Sequence, residues 1–140
     1  MKKLILILTL FLLACGIGFC EPPKKDLKPS DYRLGVSYTY AISQTKPFVL
    51  YFYTDWCPYC KNFMPKIKLV EAIYSNSYNI VMINCEDPFY NNVKKDYFIP
   101  AYPTVYLVDR KTKSKVYVDS SKYEDFSLFR QELDKFLEKK

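Results

Sequence analysis

The chain of 140 residues is 49% hydrophobic and 26% charged, with a formal net charge of +6, which suits one domain with a single core. It contains no histidine, so Ser-His or Cys-His catalysis, histidine-ligated zinc and haem attachment at a CxxCH motif are excluded. Only three glycines are present, two of them among the first twenty residues, which excludes phosphate-binding loops built on repeated glycine.

The first twenty residues have the composition of a secretory leader. Lys2 and Lys3 form a charged start, Leu4–Ala14 is apolar except for Thr9, and small residues follow. The apolar run is shorter than the ~20 residues that cross a membrane, which argues against an uncleaved anchor. We therefore predict that residues 1–20 are a signal peptide or lipoprotein leader, and that the chain is exported to a compartment where disulfides form.

The sequence fits two alternative ways of cleaving the leader. The segment Leu12–Cys15 is similar to a bacterial lipobox, in which the cysteine is lipidated and becomes the new N-terminus. Ordinary cleavage after Gly16, Gly18 or Cys20 would instead leave a soluble periplasmic protein. Both products are exported, so we expect a protein that is free in the periplasm or held at the membrane only by its leader or by a lipid on Cys15.

The charge of the exported chain argues against a nucleic-acid partner. Without residues 1–20 the chain has 19 basic and 15 acidic residues, a small surplus that fits a lysine-rich solvated surface. Lys111, Lys113 and Lys115 crowd a single turn and do not form the extended basic stripe that nucleic-acid binding needs. We therefore predict no binding to nucleic acid.

Beyond the leader, residues 21–31 are predicted to be an extended tether, since residues 21–30 hold three prolines and three lysines. Residues 32–140 then form one domain. Its predicted elements are, in chain order, a helix over Val36–Gln44, a strand over Phe48–Tyr53, a helix over Cys60–Tyr74, a strand over Ile80–Ile83, a helix over Phe89–Tyr97, strands over Thr104–Val108 and Val116–Val118, and a helix over Phe126–Leu137. This order predicts an α/β fold of three α/β/α layers with a central mixed β-sheet.

The residues that carry chemistry lie where the first buried strand meets the following helix. If Cys57 is the N-cap of that helix, Pro58 stands at the first helical position, where its missing N–H costs nothing. The backbone N–H of Cys60 is then one of the free donors of the first turn, and it is placed to reach the Cys57 sulfur. This donor and the positive end of the helix dipole both favour the thiolate of Cys57, so a nucleophile needs no histidine here.

Cys57 and Cys60 are also spaced for a reversible disulfide. Three residues along a helix separate two Cα atoms by about 5 Å, inside the usual disulfide range of about 4.4–6.8 Å. Cys60 begins the apolar stripe of the helix. We therefore expect Cys57 to face solvent and attack a substrate disulfide, and Cys60 to point inward and resolve the mixed disulfide that results.

Two other roles of the cysteine pair fit the sequence less well. A structural bridge across so short a loop adds little stability, and a zinc site would need two more ligands from Cys85, Cys20 or carboxylates. We expect no metal and no cofactor.

These residues resemble the thioredoxin family, and the resemblance covers residues 32–140. The matching positions are Trp56–Lys61 after a buried strand, Pro65 inside the following helix, and Tyr102–Thr104 at the start of a strand. The resemblance implies a thioredoxin-like fold in which Pro103 is cis and lies against the active-site disulfide. It also implies that the backbone of Tyr102 pairs with an extended substrate. By the same resemblance, the substrate groove is shaped by Trp56, Pro58, Tyr59, Tyr102 and Pro103.

One departure from the family concerns the proton of Cys60. Cytoplasmic thioredoxins have a buried carboxylate six positions before the first cysteine, where this chain has Tyr51. The proton acceptor of Cys60 therefore stays open among Asp55, Glu86 and water. We expect Cys85, which follows the second strand, to be a buried or idle thiol and not a third redox centre.

The leader and the cysteine pair together predict an exported thiol–disulfide oxidoreductase. The resemblance implies that its substrates are thiols and disulfides of other exported proteins and that a membrane electron carrier recycles it. The Pro-Tyr dipeptide between the cysteines is similar to that of glutaredoxins, whereas Trp56 and the leader are similar to exported thioredoxin-like proteins. The redox direction therefore stays open, with a lean toward reduction. The alternative is a non-catalytic module that keeps the fold and holds an exported partner protein in its groove.

Overall fold

The structure, a computed structural model, describes residues 26–139. The predictions for the leader, for Cys15 and for Cys20 lie outside these residues. The helices and strands are, in chain order, α1 (Tyr38–Ser43), β1 (Phe48–Tyr53), α2 (Pro58–Tyr74), β2 (Asn79–Asn84), α3 (Asn91–Lys95), β3 (Thr104–Asp109), β4 (Ser114–Val118), α4 (Ser120–Tyr123) and α5 (Phe126–Glu138). Over this range no helix has the length and hydropathy needed to cross a membrane.

The four strands form one mixed sheet in the order β2-β1-β3-β4. β1 is parallel to β2, with Leu50 opposite Val81, and antiparallel to β3, with Leu50 opposite Tyr106. β3 and β4 form the predicted hairpin. All six residues of β1 are buried, because the strand lies inside the sheet and both of its faces are covered. The predicted mixed central sheet is confirmed.

The side chains of β1 alternate between two hydrophobic cores on opposite sides of the sheet. One core, shared with α2 and α5, contains Val49, Tyr51, Tyr53, Phe63, Ile67, Phe129 and Leu133 among its members. The other, shared with α1 and the residues around α3, contains Phe48, Leu50, Phe52, Ala41, Ile83 and Tyr97 among its members. The two cores lie on opposite faces of the sheet, between the sheet and the helices, and thereby form the three layers that the sequence predicted.

The segment between β2 and β3 differs from the prediction. The helix expected over Phe89–Tyr97 is divided into a 3-10 turn, Pro88–Tyr90, and the short helix α3. Asp87 caps the 3-10 turn, since its carboxylate accepts the N–H of Phe89 at 2.9 Å. Tyr97 follows α3 and is buried in the second core, so the chain turns inward at the point where the predicted helix would have continued.

A short helix that the sequence analysis did not predict, α4, follows β4. Its N-cap is Asp119, whose carboxylate accepts the N–H of Ser121 at 2.9 Å, and Asp125 caps α5 in the same way. Tyr123, at the end of α4, is buried and donates a hydrogen bond to the carbonyl of Pro103 at 2.8 Å. α4 thereby joins the C-terminal part of the chain to the loop that precedes β3.

Candidate active site

Cys57 and Cys60 lie at the junction of β1 and α2, as predicted. Cys57 is the N-cap of α2 with an extended backbone, and Pro58 is the first helical residue. The Cys57 sulfur accepts the backbone N–H of Cys60 at 3.2 Å, which satisfies one of the free donors of the first turn. Negative charge on this sulfur is therefore stabilised by a directed N–H group and by the positive end of a helix of 17 residues.

The two cysteines differ less in exposure than the sequence suggested. Cys60 is fully buried, as predicted, whereas the prediction that Cys57 faces solvent is wrong, because the residue exposes only 3% of its surface. The loop before β3 lies against it, and the Cys57 thiol donates a hydrogen bond to the carbonyl of Tyr102 at 3.4 Å. The neighbours Trp56 and Tyr59 are 65% and 72% exposed, so two aromatic rings lie on the surface beside the pair.

The loop against Cys57 contains the cis peptide Tyr102–Pro103, which the family resemblance implied. Two contacts hold this loop in place. The Tyr123 hydroxyl donates to the carbonyl of Pro103, and the ring of Tyr102 packs edge-on against Trp56 with centroids 6.1 Å apart. Trp56, Tyr102 and Pro103 are thus brought together around Cys57, although they come from distant parts of the sequence.

A groove of about 420 Å³ opens beside the pair. Its lining includes Tyr59, Phe63, Lys66, Tyr102, Pro103, Tyr123 and Glu124. Three of the five predicted groove residues therefore line it, whereas Trp56 and Pro58 do not. Trp56 instead packs on Tyr102, and Pro58 is exposed on the first turn of α2. Tyr123 and Glu124, at the end of α4, were missed because the sequence analysis predicted no helix there.

The thiol of Cys60 lies in surroundings that disfavour its charged form. Burial raises the pKa of Cys60 to about 12, and the Cys57 thiol adds to this effect. A backbone hydrogen bond from Thr54 and the hydroxyl of Tyr51 lower the pKa in part. The same Tyr51 hydroxyl donates a hydrogen bond to the Cys60 carbonyl at 3.1 Å. Cys60 is therefore a protonated thiol at neutral pH.

Neither carboxylate named as a proton acceptor is hydrogen-bonded to Cys60. Asp55 accepts two hydrogen bonds from Ser30, one from the backbone N–H at 3.0 Å and one from the hydroxyl at 2.7 Å. Glu86 accepts the backbone N–H of Asp55 at 2.8 Å. Both acids instead hold the turn that precedes Cys57.

The residues before the domain also contact this turn. The predicted tether, residues 21–31, is not extended at its end, because Pro29–Asp31 form a 3-10 turn in which Pro29 is buried. Lys61, directly after Cys60, forms an ion pair with the exposed Asp26 at 2.8 Å. The sequence does not predict this docking, since the hydrogen bonds between Ser30 and Asp55 join residues 25 positions apart and leave no local pattern.

Cys85 is a buried thiol in the second core, as predicted. Burial raises its pKa, and the hydroxyl of Tyr102 lowers it in part. Tyr102 therefore lies between two cysteines, with its carbonyl toward Cys57 and its hydroxyl toward Cys85. Among residues 26–139, no three cysteine, aspartate or glutamate side chains come together as a metal site would require.

Comparison with known proteins identifies similar sequences. The Thioredoxin family model matches residues 34–132. The thioredoxin-like protein HCF164, chloroplastic, of Arabidopsis thaliana is 30% identical over 87 residues, which are 62% of this chain and 32% of that protein. Protein disulfide-isomerase 1 of Dictyostelium discoideum is 27% identical over 101 residues, which are 71% of this chain and 25% of that protein. The chain thus spans a third or less of the length of these two relatives.

Solved structures share the fold at low sequence identity. The Trx4 domain of ERdj5 aligns with a TM-score of 0.57 and 23% identity, covering 82% of this chain and 96% of that domain. Thioredoxin O1 from Arabidopsis thaliana in its oxidized state aligns with a TM-score of 0.56 and 20% identity, covering 70% of this chain and 87% of that one. The predicted thioredoxin-like fold is therefore confirmed.

The burial of Cys60 predicts the pH dependence of its alkylation in the Cys57→Ser variant. Iodoacetamide reacts with the thiolate, so the rate at Cys60 should rise about tenfold per pH unit from about pH 7 to about pH 10 without levelling off. In the denatured chain the rate should level off near the ordinary thiol pKa of 9.0. Mass spectrometry of the Cys60 peptide measures both rates, and a plateau below about pH 9 in the folded protein would contradict the effect of burial.

Proposed function

Because the chain belongs to the thioredoxin family, we propose that it exchanges disulfides with other proteins through Cys57 and Cys60. One observation carries the proposal, namely that the Cys57 sulfur accepts the backbone N–H of Cys60 at the start of α2. This contact stabilises a nucleophilic thiolate in a chain that has no histidine to act as a base. The second thiol, three residues further on, is spaced to close a disulfide with the first.

The proposed reaction has two steps. The Cys57 thiolate attacks a substrate disulfide, forms a mixed disulfide and releases one substrate sulfur, which takes up a proton. Cys60 then loses its proton and attacks the Cys57 sulfur, and the second substrate sulfur leaves and is protonated as the Cys57–Cys60 disulfide closes. The cysteine pair loses two electrons and the substrate gains two. The reverse sequence would donate the disulfide to a substrate.

Thiols and disulfides of other proteins are the proposed substrates. The exposed rings of Trp56 and Tyr59 provide apolar contact area on either side of Cys57. The groove of about 420 Å³ continues this area past Tyr102 and Pro103, where the family resemblance implies pairing with an extended polypeptide. A polypeptide substrate would use this surface, whereas a small disulfide would leave most of it empty.

The proposal includes export. The charged and apolar leader at residues 1–20 supports a protein that works in the periplasm or at the membrane surface that faces it. A lipid on Cys15 would provide the membrane attachment, and a membrane electron carrier would return electrons to the cysteine pair. The proposed direction is reduction of substrates, and this lean rests on the family resemblance.

Replacing Cys60 by serine should block the second step and leave the first intact. Cells that produce the Cys60→Ser variant should accumulate covalent adducts with partner proteins, seen as larger species on non-reducing gels that dithiothreitol removes. The matched control is the C57S/C60S variant, which keeps Cys85 and should form no adducts. The proposal fails if C60S forms no adducts and the parent protein does not turn over a model disulfide.

The reduction potential of the Cys57–Cys60 pair distinguishes catalysis from a structural bridge. A catalytic pair should have a potential between about −120 and about −270 mV, with a reductant near the lower end. Equilibration in dithiothreitol or glutathione redox buffers, followed by alkylation and mass spectrometry, measures the potential. A bridge that stays closed well below about −300 mV would instead support the non-catalytic binding module.

Export predicts a processed N-terminus in bacterial cells that express the full chain. Mass spectrometry should find either a lipid-modified chain that starts at Cys15 or a soluble chain that starts after Gly16, Gly18 or Cys20. The Cys15→Ala variant should release the protein from the membrane fraction in the first case and change nothing in the second. An unprocessed chain in the cytoplasmic fraction would contradict export.

A further inference from the structure

Tyr51 is held rigidly beside the buried cysteine. It lies in the middle of β1 and is fully buried. Its ring stacks on Tyr53, with centroids 5.5 Å apart and planes 15° apart, and packs against Phe63 with centroids also 5.5 Å apart. This packing aims the hydroxyl at the first turn of α2, where it donates to the Cys60 carbonyl at 3.1 Å.

The hydroxyl that donates to the Cys60 carbonyl also lowers the pKa of the Cys60 thiol through a side-chain hydrogen bond, so the carbonyl and the sulfur of this residue are two acceptors for one hydrogen. In the protonated thiol the sulfur is a weak acceptor and the carbonyl receives the hydrogen bond. A thiolate is a much stronger acceptor than a thiol, because a hydrogen bond to a charged group is stronger than a neutral one. Rotation about one C–O bond would move the hydrogen from the carbonyl to the sulfur.

Neither Asp55 nor Glu86 is hydrogen-bonded to Cys60. The Asp55 carboxylate accepts hydrogen bonds from Ser30, and the Glu86 carboxylate accepts one from the backbone N–H of Asp55. Burial raises the pKa of Tyr51 far above its ordinary value, so the phenol stays a neutral donor at neutral pH. Tyr51 can stabilise charge on Cys60, but it does not take the proton from Cys60.

We propose that Tyr51 is a catalytic residue of the resolving step, in which its hydroxyl turns from the Cys60 carbonyl to the reacting Cys60 sulfur as that sulfur ionises. The inference rests on the proposed function, since it concerns the second of the two exchange steps. Cys60 loses its proton to solvent and attacks the Cys57 sulfur. The Cys57–substrate bond breaks, the Cys57–Cys60 bond forms, and the departing substrate sulfur is protonated from solvent, so protons and electrons balance.

The two steps can be timed separately with 5,5′-dithiobis(2-nitrobenzoate). Attack by Cys57 releases the first thionitrobenzoate, and resolution by Cys60 releases the second, so absorbance shows two phases. The full chain carries C15A, C20A and C85A in every sample, so that only the active-site pair reacts. The test variant is Tyr51→Phe, which removes only the hydroxyl. The matched control is Tyr53→Phe, which removes the same group from the ring stacked on Tyr51.

Loss of the Tyr51 hydroxyl should slow the second phase about tenfold at each pH from about 6 to about 9. The first phase should stay within about twofold of the parent, and Tyr53→Phe should leave both phases unchanged to the same tolerance. An unchanged second phase in Tyr51→Phe would overturn the proposal. So would equal slowing of both phases, because that pattern indicates general damage to the fold.

The pH profile of the parent protein tests the proposal without any variant at Tyr51. If Cys60 itself is the ionising group, the rate of the second phase should rise with pH without a plateau up to about pH 10. A plateau below about pH 8 would show that another group with a lower pKa takes the proton, and it would overturn the neutral-donor role. Absence of the first phase in the parent would instead overturn the proposed function, and this inference with it.

Discussion

The site depends on one contact, between the backbone N–H of Cys60 and the sulfur of Cys57 at the open end of α2. This contact requires a strand that ends at the start of a helix, and the buried strand β1 supplies it. Pro58 allows the helix to begin at that point, because it has no N–H to leave unpaired. Since the backbone provides the donor, the charge of the nucleophile is stabilised without any side-chain base, which is consistent with a chain that lacks histidine.

Tyrosine hydroxyls take much of the supporting role around this contact. Tyr51 donates to the carbonyl of Cys60, and Tyr123 donates to the carbonyl of Pro103. The two tyrosines come from opposite ends of the domain sequence, yet each holds one side of the site. Phenols suit such buried positions, because the ring fills the core while the hydroxyl satisfies a backbone carbonyl and remains neutral. Tyr51 and Tyr123 therefore do more than fill space.

The site could be predicted where its parts are neighbours in the sequence, and it could not where they are distant. The placement of Cys57, Pro58 and Cys60 follows from helix-start chemistry within four residues. The burial of Cys57 does not, because a loop more than forty residues further along the chain lies against it. The docking of Ser30 on Asp55 was missed for the same reason. In each case a hydrogen bond joins residues that are far apart in the sequence, so no local sequence pattern predicts it.

The sequence by itself determined the alternation of strands and helices, the two sides of β1 and the redox pair, because these depend on periodicity and on the short-range chemistry of a helix start. The tertiary structure decided which polar group reaches each sulfur. It directed Asp55 and Glu86 to the turn before Cys57 and left Tyr51 beside Cys60. A hydrogen bond requires a donor and an acceptor about 3 Å apart. Only the packing of the layers brings residues that are distant in the sequence within this distance.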